Sequence, residues 1–262
     1  MAGTSQITEN LYSFSPIFLE EMDNVRLMDR VDTKYILSVS KLPDIMYRMN
    51  GNYRVLDINK ERFFRYDTTY LDSIDFMFFN QHVTGKLERN KVRFRKYETT
   101  GTTYLEVKKR TNKNRTKKWR IENMLIDNSA CDNNAIEFIK EYIPLNSHIL
   151  KPVLTNSFKR ITFVGSAVNE RITIDYDLSY SGLNGNLVSF PFIAIIELKQ
   201  EGFSNRSQLE DILKDYLIRP VGFSKYCIGS GMLYDLPHKN ILKPKFLLIN
   251  KLENEFYRCC TA

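Results

Sequence analysis

Several short stretches of this chain alternate apolar side chains with basic ones, sparsely dotted with carboxylates. Written as an extended strand, Lys91–Tyr97 puts Lys91, Arg93, Arg95 and Tyr97 on one face, with Val92, Phe94 and Lys96 on the other. Tyr104–Arg110 sets Tyr104, Glu106, Lys108 and Arg110 against Leu105 and Val107, and Arg171–Asp177 sets Arg171, Thr173, Asp175 and Asp177 against Ile172, Ile174 and Tyr176. Any half-buried sheet alternates in this way, with its polar face in water, so one strand alone says little. The repetition says more, as does Phe192–Leu198, an almost wholly apolar run that carries Glu197 and is followed by Lys199. A charge at the end of a buried strand needs a partner or a function. Were the strands to close into a barrel, Lys34, Arg93, Arg95, Lys108, Arg160, Arg171, Lys199 and Lys225 would face one lumen, diluted by Glu106, Asp175 and Glu197. Such crowding is self-repulsive unless a polyanion occupies the space. Arginine forks and lysine ammoniums suit phosphate oxygens, and the carboxylates could share Mg²⁺ or Mn²⁺ with them.

The elements that must position these residues follow from the rest of the sequence. The chain has 262 residues, 43% of them hydrophobic and 26% charged, which excludes a mostly disordered protein and supplies ample core. The net charge of +7 is spread along the whole length, and no linker or repeat marks a boundary, so residues 1–262 read as one unit. Helical spacing is expected for Pro16–Met28, Ser40–Asn50 (capped by Ser40 and ended by Gly51), Asn133–Ile143 and Arg206–Ile218. Period-two alternation predicts strands at Phe63–Thr69, Lys91–Tyr97, Thr103–Arg110, Lys117–Asn123, Phe158–Val164, Arg171–Leu178 and Phe192–Lys199. Turns are expected at Thr99–Thr102, Asn112–Asn114 and Gly182–Asn186. The fold class is therefore α+β, an antiparallel β-barrel or strongly curved sheet with flanking helices.

Other chemistries find little support. The three histidines, His82, His148 and His238, are scattered, and Cys131, Cys227, Cys259 and Cys260 lack metal-site spacing and read as free thiols in a reducing compartment. With no signal-peptide pattern and no apolar run long enough to span a bilayer, a cytoplasmic location is expected. Gly229–Gly231 lacks the lysine of a phosphate loop and reads as a turn.

The ordered set Lys34-Tyr35, Arg93-Phe94-Arg95, Glu106-Val107-Lys108, Arg160, Arg171–Asp175, Glu197-Leu198-Lys199 and Ser224-Lys225-Tyr226 resembles the VTC domain. This is the polyphosphate polymerase domain of the vacuolar transporter chaperone family, within the CYTH-like triphosphate tunnel metalloenzymes. The resemblance runs from about Asp29 to Tyr234, and Tyr66–Asp72 is similar to the family's aromatic-Asp strand before a helix. It implies an antiparallel β-tunnel in which Arg93, Arg95, Lys108, Arg160, Arg171 and Lys225 serve catalysis. Lys34, Lys91, Lys118, Arg120, Lys199, Ser224 and Tyr226 would bind substrate, and Glu197, with Glu106 and Asp175, would hold Mn²⁺ or Mg²⁺. It further implies transfer of the γ-phosphate of ATP onto inorganic polyphosphate, with triphosphate or pyrophosphate as related ligands and any membrane partner a separate chain. The family pattern Lys-Phe-Ser-Lys reads Gly222-Phe223-Ser224-Lys225 here, so one basic residue is absent.

Three other functions share parts of this pattern. A triphosphatase would use the same tunnel with water as acceptor, and a binding module would use it without turnover. A nucleic-acid binder would instead display the run Lys108–Arg120, with the sole tryptophan, Trp119, stacking on a base; nucleic acid is the less expected partner.

Overall fold

A computed structural model describes residues 2–22, 30–113, 115–122, 132–144, 149–202 and 207–260. Its frame is one sheet built from eleven strands. These are β1 (Ser15–Ile17), β2 (Arg30–Ser38), β3 (Tyr53–Leu56), β4 (Phe64–Asp72), β5 (Arg89–Tyr97), β6 (Thr103–Arg110), β7 (Thr116–Glu122), β8 (Lys151–Gly165), β9 (Glu170–Gly182), β10 (Leu187–Phe190) and β11 (Ile193–Glu201). Among the described residues seven α-helices accompany them: α1 (Ala2–Tyr12), α2 (Leu42–Met49), α3 (Met77–Val83), α4 (Asn133–Tyr142), α5 (Gln208–Asp215), α6 (Lys225–Leu233) and α7 (Lys243–Cys260). The main path runs β2-β11-β9-β8-β4-β5-β6-β7 with antiparallel pairing throughout, while β10 joins β9 and β3 joins β8. The sheet curls into an open half-barrel: among the described residues, the end strands β2 and β7 do not pair. The segment before α6 covers the β2 edge, where the Val221 amide donates to the Lys34 carbonyl at 2.8 Å.

Period-two patterning decides which face each strand buries. The outer faces of β2, β8, β9 and β11 contribute Leu37, Phe163, Ile172, Ile174, Ile196 and Leu198 to a core covered by α1, α2 and α5. The outer faces of β5 and β6 put Val92, Phe94, Leu105 and Val107 under α4. The concave face is divided. At one end Ile36, Phe158, Tyr180 and Ile193 form a core with Phe79 of α3, Ile228 of α6 and Ile249 of α7, and the remainder of that face carries the charged residues. Helix α6 is thus seated inside the curl, and its N-terminus meets the polar region.

Strand and helix positions follow the expected ones closely for β5, β6, β7, α4 and α5. Strands β8 and β9 are longer than expected, at 15 and 13 residues. Three expectations are corrected. Pro16–Met28 is not a helix over its described part: Ser15–Ile17 pairs in parallel with β3, and a turn follows at residues 18–22, leaving Phe18 exposed. Gly229–Gly231 is not a turn but the middle of α6. Ser40 does not cap α2 either; its hydroxyl meets that of Ser38, and Lys41 stands at the cap position. Val25, Met28, Asn114, Asn123, Cys131, His148 and Arg206 lie outside the described residues. Cys227 is a buried free thiol, and no described helix is long and apolar enough to cross a membrane.

Glycine in α6 is a packing requirement. A Cβ on Gly229 would lie 2.4 Å from the Tyr180 ring and 2.9 Å from Leu154, so only a bare backbone lets α6 settle against β8 and β9. Ala is intrinsically the better helix former by about 1 kcal/mol. Gly229→Ala should nonetheless destabilise the protein by about 1–3 kcal/mol, the usual cost of overpacking a tight core. Urea unfolding measures this; a variant as stable as the wild type or more so would show that α6 is free to shift.

Candidate functional site

The inward positions of the strands meet in a cavity of about 470 Å³. Strand β5 supplies Lys91, Arg93, Arg95 and Tyr97, while β6 and β7 supply Lys108, Lys118 and Arg120. From the other side come Arg30, Asp32 and Lys34 of β2, Arg160 and Thr162 of β8, Arg171 and Thr173 of β9, and Glu197 and Lys199 of β11. Ser224 and Lys225 enter from the start of α6. Twelve basic side chains therefore line the space against two carboxylates, Asp32 and Glu197. Cross-strand register explains the crowding: Lys91 stands opposite Lys108, which stands opposite Lys118.

Three carboxylates hold six of these cations in pairs. Glu106 is fully buried and accepts from Arg93 at 2.6 and 2.7 Å and from Lys118. Asp175 takes the Arg160 fork at 2.5 and 2.7 Å and also Lys225. Glu197 binds Lys34 at 2.7 Å and Lys199. Burial alone would raise these carboxyls, but the paired cations override it and hold all three below the usual carboxylate range. No carboxylate pairs with Lys108 or Arg171 within 4 Å among the described residues. Arg93 beside it, together with burial, pushes the Lys108 ammonium well below its ordinary value. Burial pushes Arg95 down to about 10, and Lys91 and Lys225 each down to about 8.

The structure thus brings together Lys34, Lys91, Arg93, Arg95, Lys108, Lys118, Arg120, Arg160, Arg171, Glu197, Lys199, Ser224 and Lys225. It places three expected site residues elsewhere. Tyr226 is buried, and its hydroxyl donates to Asp72, which also caps α3 by accepting from the Phe78 and Phe79 amides. This tyrosine fixes α6 against α3 and does not reach the cavity. Glu106 and Asp175 lie beneath the cations and do not line the space, so their position suits neutralising Arg93 and Arg160 rather than meeting a metal. Trp119 is stacked on Tyr142 at 4.3 Å, so one face of its ring is already covered.

Sequence reasoning missed Arg30, Asp32, Tyr66, Tyr70, Thr162 and Thr173 as lining residues. Extending the strands by the same period of two would have found them, since Thr162 follows Arg160 and Asp32 precedes Lys34 on the inward face. Aromatic rings also prop the guanidinium groups: Arg95 and Arg160 lie 5.7 and 5.3 Å from the Tyr66 ring centre.

A bound divalent cation can be tested against this donor set. Among the described residues no three His, Cys, Asp or Glu side chains cluster, so a cage made of protein alone does not fit. A cation shared between Glu197 and phosphate oxygens does fit, because Glu197 faces the cavity and such ions commonly take only one or two carboxylates.

The depressed lysines give a pH signature. Lys91 and Lys225 are charged below pH 8 and lose that charge as the pH rises past it, well before an ordinary lysine at about 10.4. Affinity for inorganic triphosphate should therefore decline from pH 7 to pH 9, and Lys225→Arg should make the decline shallower. Calorimetric titration across that range checks this; a flat affinity up to pH 10 would contradict it.

Comparison with curated protein sequences gives no significant match. Among solved structures, a proposed adenylate cyclase of Bacillus halodurans superposes with a TM-score of 0.50 and 14% identity, covering 75% of this chain and 94% of its own. A proposed adenylate cyclase of Vibrio parahaemolyticus gives 0.47 at 12% identity, with 77% and 97% covered. A proposed adenylyl cyclase of Hippeastrum, described as having a dominant triphosphatase activity, gives 0.44 at 10% identity, with 80% and 99% covered. At such identities the Bacillus likeness is one of fold alone. The sequence itself matches the model of the VTC domain over residues 29–234, the segment that holds every strand lining the cavity, and the chain belongs to that family.

Proposed function

We propose that the chain binds the triphosphate of ATP in this cavity and transfers its γ-phosphoryl group onto an inorganic polyphosphate chain lying in the same space. The observation that carries the reading is the charge ratio, twelve cations to two carboxylates lining one cavity. Phosphoryl transfer asks mainly for positioning and neutralisation, and no side-chain nucleophile is required. An oxygen of the terminal phosphate of the chain attacks the γ-phosphorus, and the bond to the β–γ bridging oxygen breaks. ADP departs, and the chain is one phosphate longer.

The side chains divide this work by their geometry. The Arg93 and Arg160 forks, held by Glu106 and Asp175, present fixed donors to non-bridging oxygens, and Arg95 and Arg171 add two more. Lys108 and Lys225 are compact charges that can follow the charge developing during transfer. Lys34 and Lys199 sit on Glu197, which would also hold Mn²⁺ or Mg²⁺ there. Such a cation neutralises charge on the phosphate oxygens. Replacing the acceptor by water would make the same site a triphosphatase, so the product decides between the two.

Incubation with ATP and Mn²⁺, followed by gel analysis of phosphate-chain length, is the test. Long chains are expected; orthophosphate alone would replace the polymerase reading with a triphosphatase, and no product would leave a binding module. Lys225→Ala should reduce turnover by about 10²–10³ while weakening triphosphate binding far less. Gly222→Lys should keep or raise activity, because a Cβ at Gly222 meets nothing within 4 Å. Lower activity in this variant would show that the family's lysine has no use here.

Arg95 offers a cleaner measure of binding than Arg93. Losing Arg93 would leave the buried Glu106 with Lys118 alone, and the fold would suffer. Arg95 instead reaches the Thr68 hydroxyl at 3.4 Å and has no carboxylate partner among the described residues. A charge-assisted phosphate contact is worth about 1.5–3 kcal/mol, so Arg95→Ala should weaken triphosphate binding roughly tenfold to a hundredfold. Unchanged affinity by calorimetry would remove Arg95 from the site.

A further inference from the structure

Asp175 is one carboxylate divided between two cations, Arg160 and Lys225, and Arg95 has no carboxylate partner among the described residues. These three cations are short of negative charge, and all three lie against one pair of aromatic rings. Tyr66 of β4 stands directly opposite Phe158 of β8, and the two rings stack in near-parallel planes, 5.5 Å apart at 8°. The Lys225 ammonium lies 4.5 Å from the centre of the Phe158 ring. The Arg160 guanidinium lies 5.3 Å from both rings, and Arg95 lies 5.7 Å from Tyr66. The pair is itself held fast. Tyr97 meets Tyr66 at 5.0 Å and a steep angle, and Phe158 is buried in the apolar end of the concave face. Phe158 also sits at a β-bulge: Ser157 pairs with Ser179 and Lys159 with Tyr176, so Asp177 and Leu178 of β9 stand opposite Phe158 alone. Asp177 takes a φ of 55° there, and the extra residue turns Leu178 and Tyr180 into the apolar end while Asp175 stays with the cations.

We propose that Phe158 and Tyr66 are positioning residues, whose ring faces hold Lys225, Arg160 and Arg95 in place of carboxylates and so leave their charge to the phosphate. The proposal rests on the reading of the cavity as a triphosphate site and goes beyond it to how the charge of that site is held. A carboxylate that orients a cation also cancels its charge. An aromatic ring carries no net charge, yet its face attracts a cation through the ring quadrupole, most strongly where water is excluded. A leucine would fill the same space and hold no cation. Glu106 and Glu197 anchor their cations at the expense of net charge, whereas the platform anchors three cations with a single carboxylate among them.

The test replaces Phe158, in the full chain, by phenylalanines carrying one, two or three ring fluorines, which keep the ring and drain the negative potential of its face in steps. Affinity for inorganic triphosphate, read by calorimetry, should fall with each added fluorine, by about threefold to tenfold at the trifluoro ring. The same series in a Lys225→Met background should show at most half of that loss on a logarithmic scale, because one of the two cations on the Phe158 ring is gone. Tyr66→Leu should also weaken triphosphate binding, and Tyr66→Phe should keep most of what Tyr66→Leu loses, a comparison that holds even if the trifluoro chain does not fold. An affinity that ignores the fluorine count, an equal loss in the Lys225→Met background, or wild-type binding by Tyr66→Leu would each overturn the platform. Wild-type protein that binds no triphosphate would overturn the reading of the cavity and the platform with it.

Discussion

Three carboxylates, each divided between two cations, make the interior of this sheet possible. Adjacent inward positions on paired strands lie roughly 5 Å apart. At that spacing two like charges repel by about 3 kcal/mol for an effective dielectric of 20. Several such pairs would exceed the ~5–15 kcal/mol of net stability that a domain possesses. Glu106 between Arg93 and Lys118, Asp175 between Arg160 and Lys225, and Glu197 between Lys34 and Lys199 offset enough of it for the strands to stay in register. They do not offset all of it, and the surplus positive charge is what the cavity presents to a ligand.

The same constraint shapes the scaffold. Lys225 reaches Asp175 only because α6 lies inside the curl, and α6 lies there only because Gly229 carries no side chain against Tyr180. The same end of the helix is fixed by Tyr226 on Asp72, a carboxylate that also ties down the start of α3. Chemistry and packing therefore meet in neighbouring residues: Lys225 faces the charged half of the concave surface and Tyr226 the apolar half. The open seam between β2 and β7 is compatible with this arrangement, because the segment before α6 covers the β2 edge, with Val221 bonded to Lys34 and Ser224 accepting from Lys91.

The inward faces were legible in the sequence because a strand has a period of two, and a charged residue keeps its face however the strand ends shift. Spacing alone therefore put Arg93 and Arg95 on one face of their strand, and gave Lys108 and Arg171 a face on theirs; that these faces meet followed only from closure of the sheet. What spacing could not show was depth. Glu106 and Asp175 share a face with the lining residues but lie under them, and only the lengths of the arginine and lysine side chains around them decide that. Tyr226 was misread for a similar reason, since its neighbour Lys225 faces the cavity while the helix turns the tyrosine away. Over its described part the Pro16–Met28 pattern gave way to a strand, because Ile17 pairs beside β3 and is buried there with Leu56, Phe64 and Val164. Helix α6 was hidden because Gly229 and Gly231 read as turn residues, when they mark a close approach that no local signal reveals.

The central claim is that the cavity is an unfinished charge balance completed by a polyanion. Thermal unfolding of the unmodified chain, with and without inorganic triphosphate, at constant ionic strength and in the presence of a chelator, tests it most directly. Saturating triphosphate should raise Tm by about 5–10 °C, as expected for a ligand well above its Kd on a chain of this size. Sulfate at the same ionic strength should do much less. A Tm that triphosphate leaves unchanged, or that sulfate raises equally, would contradict the claim.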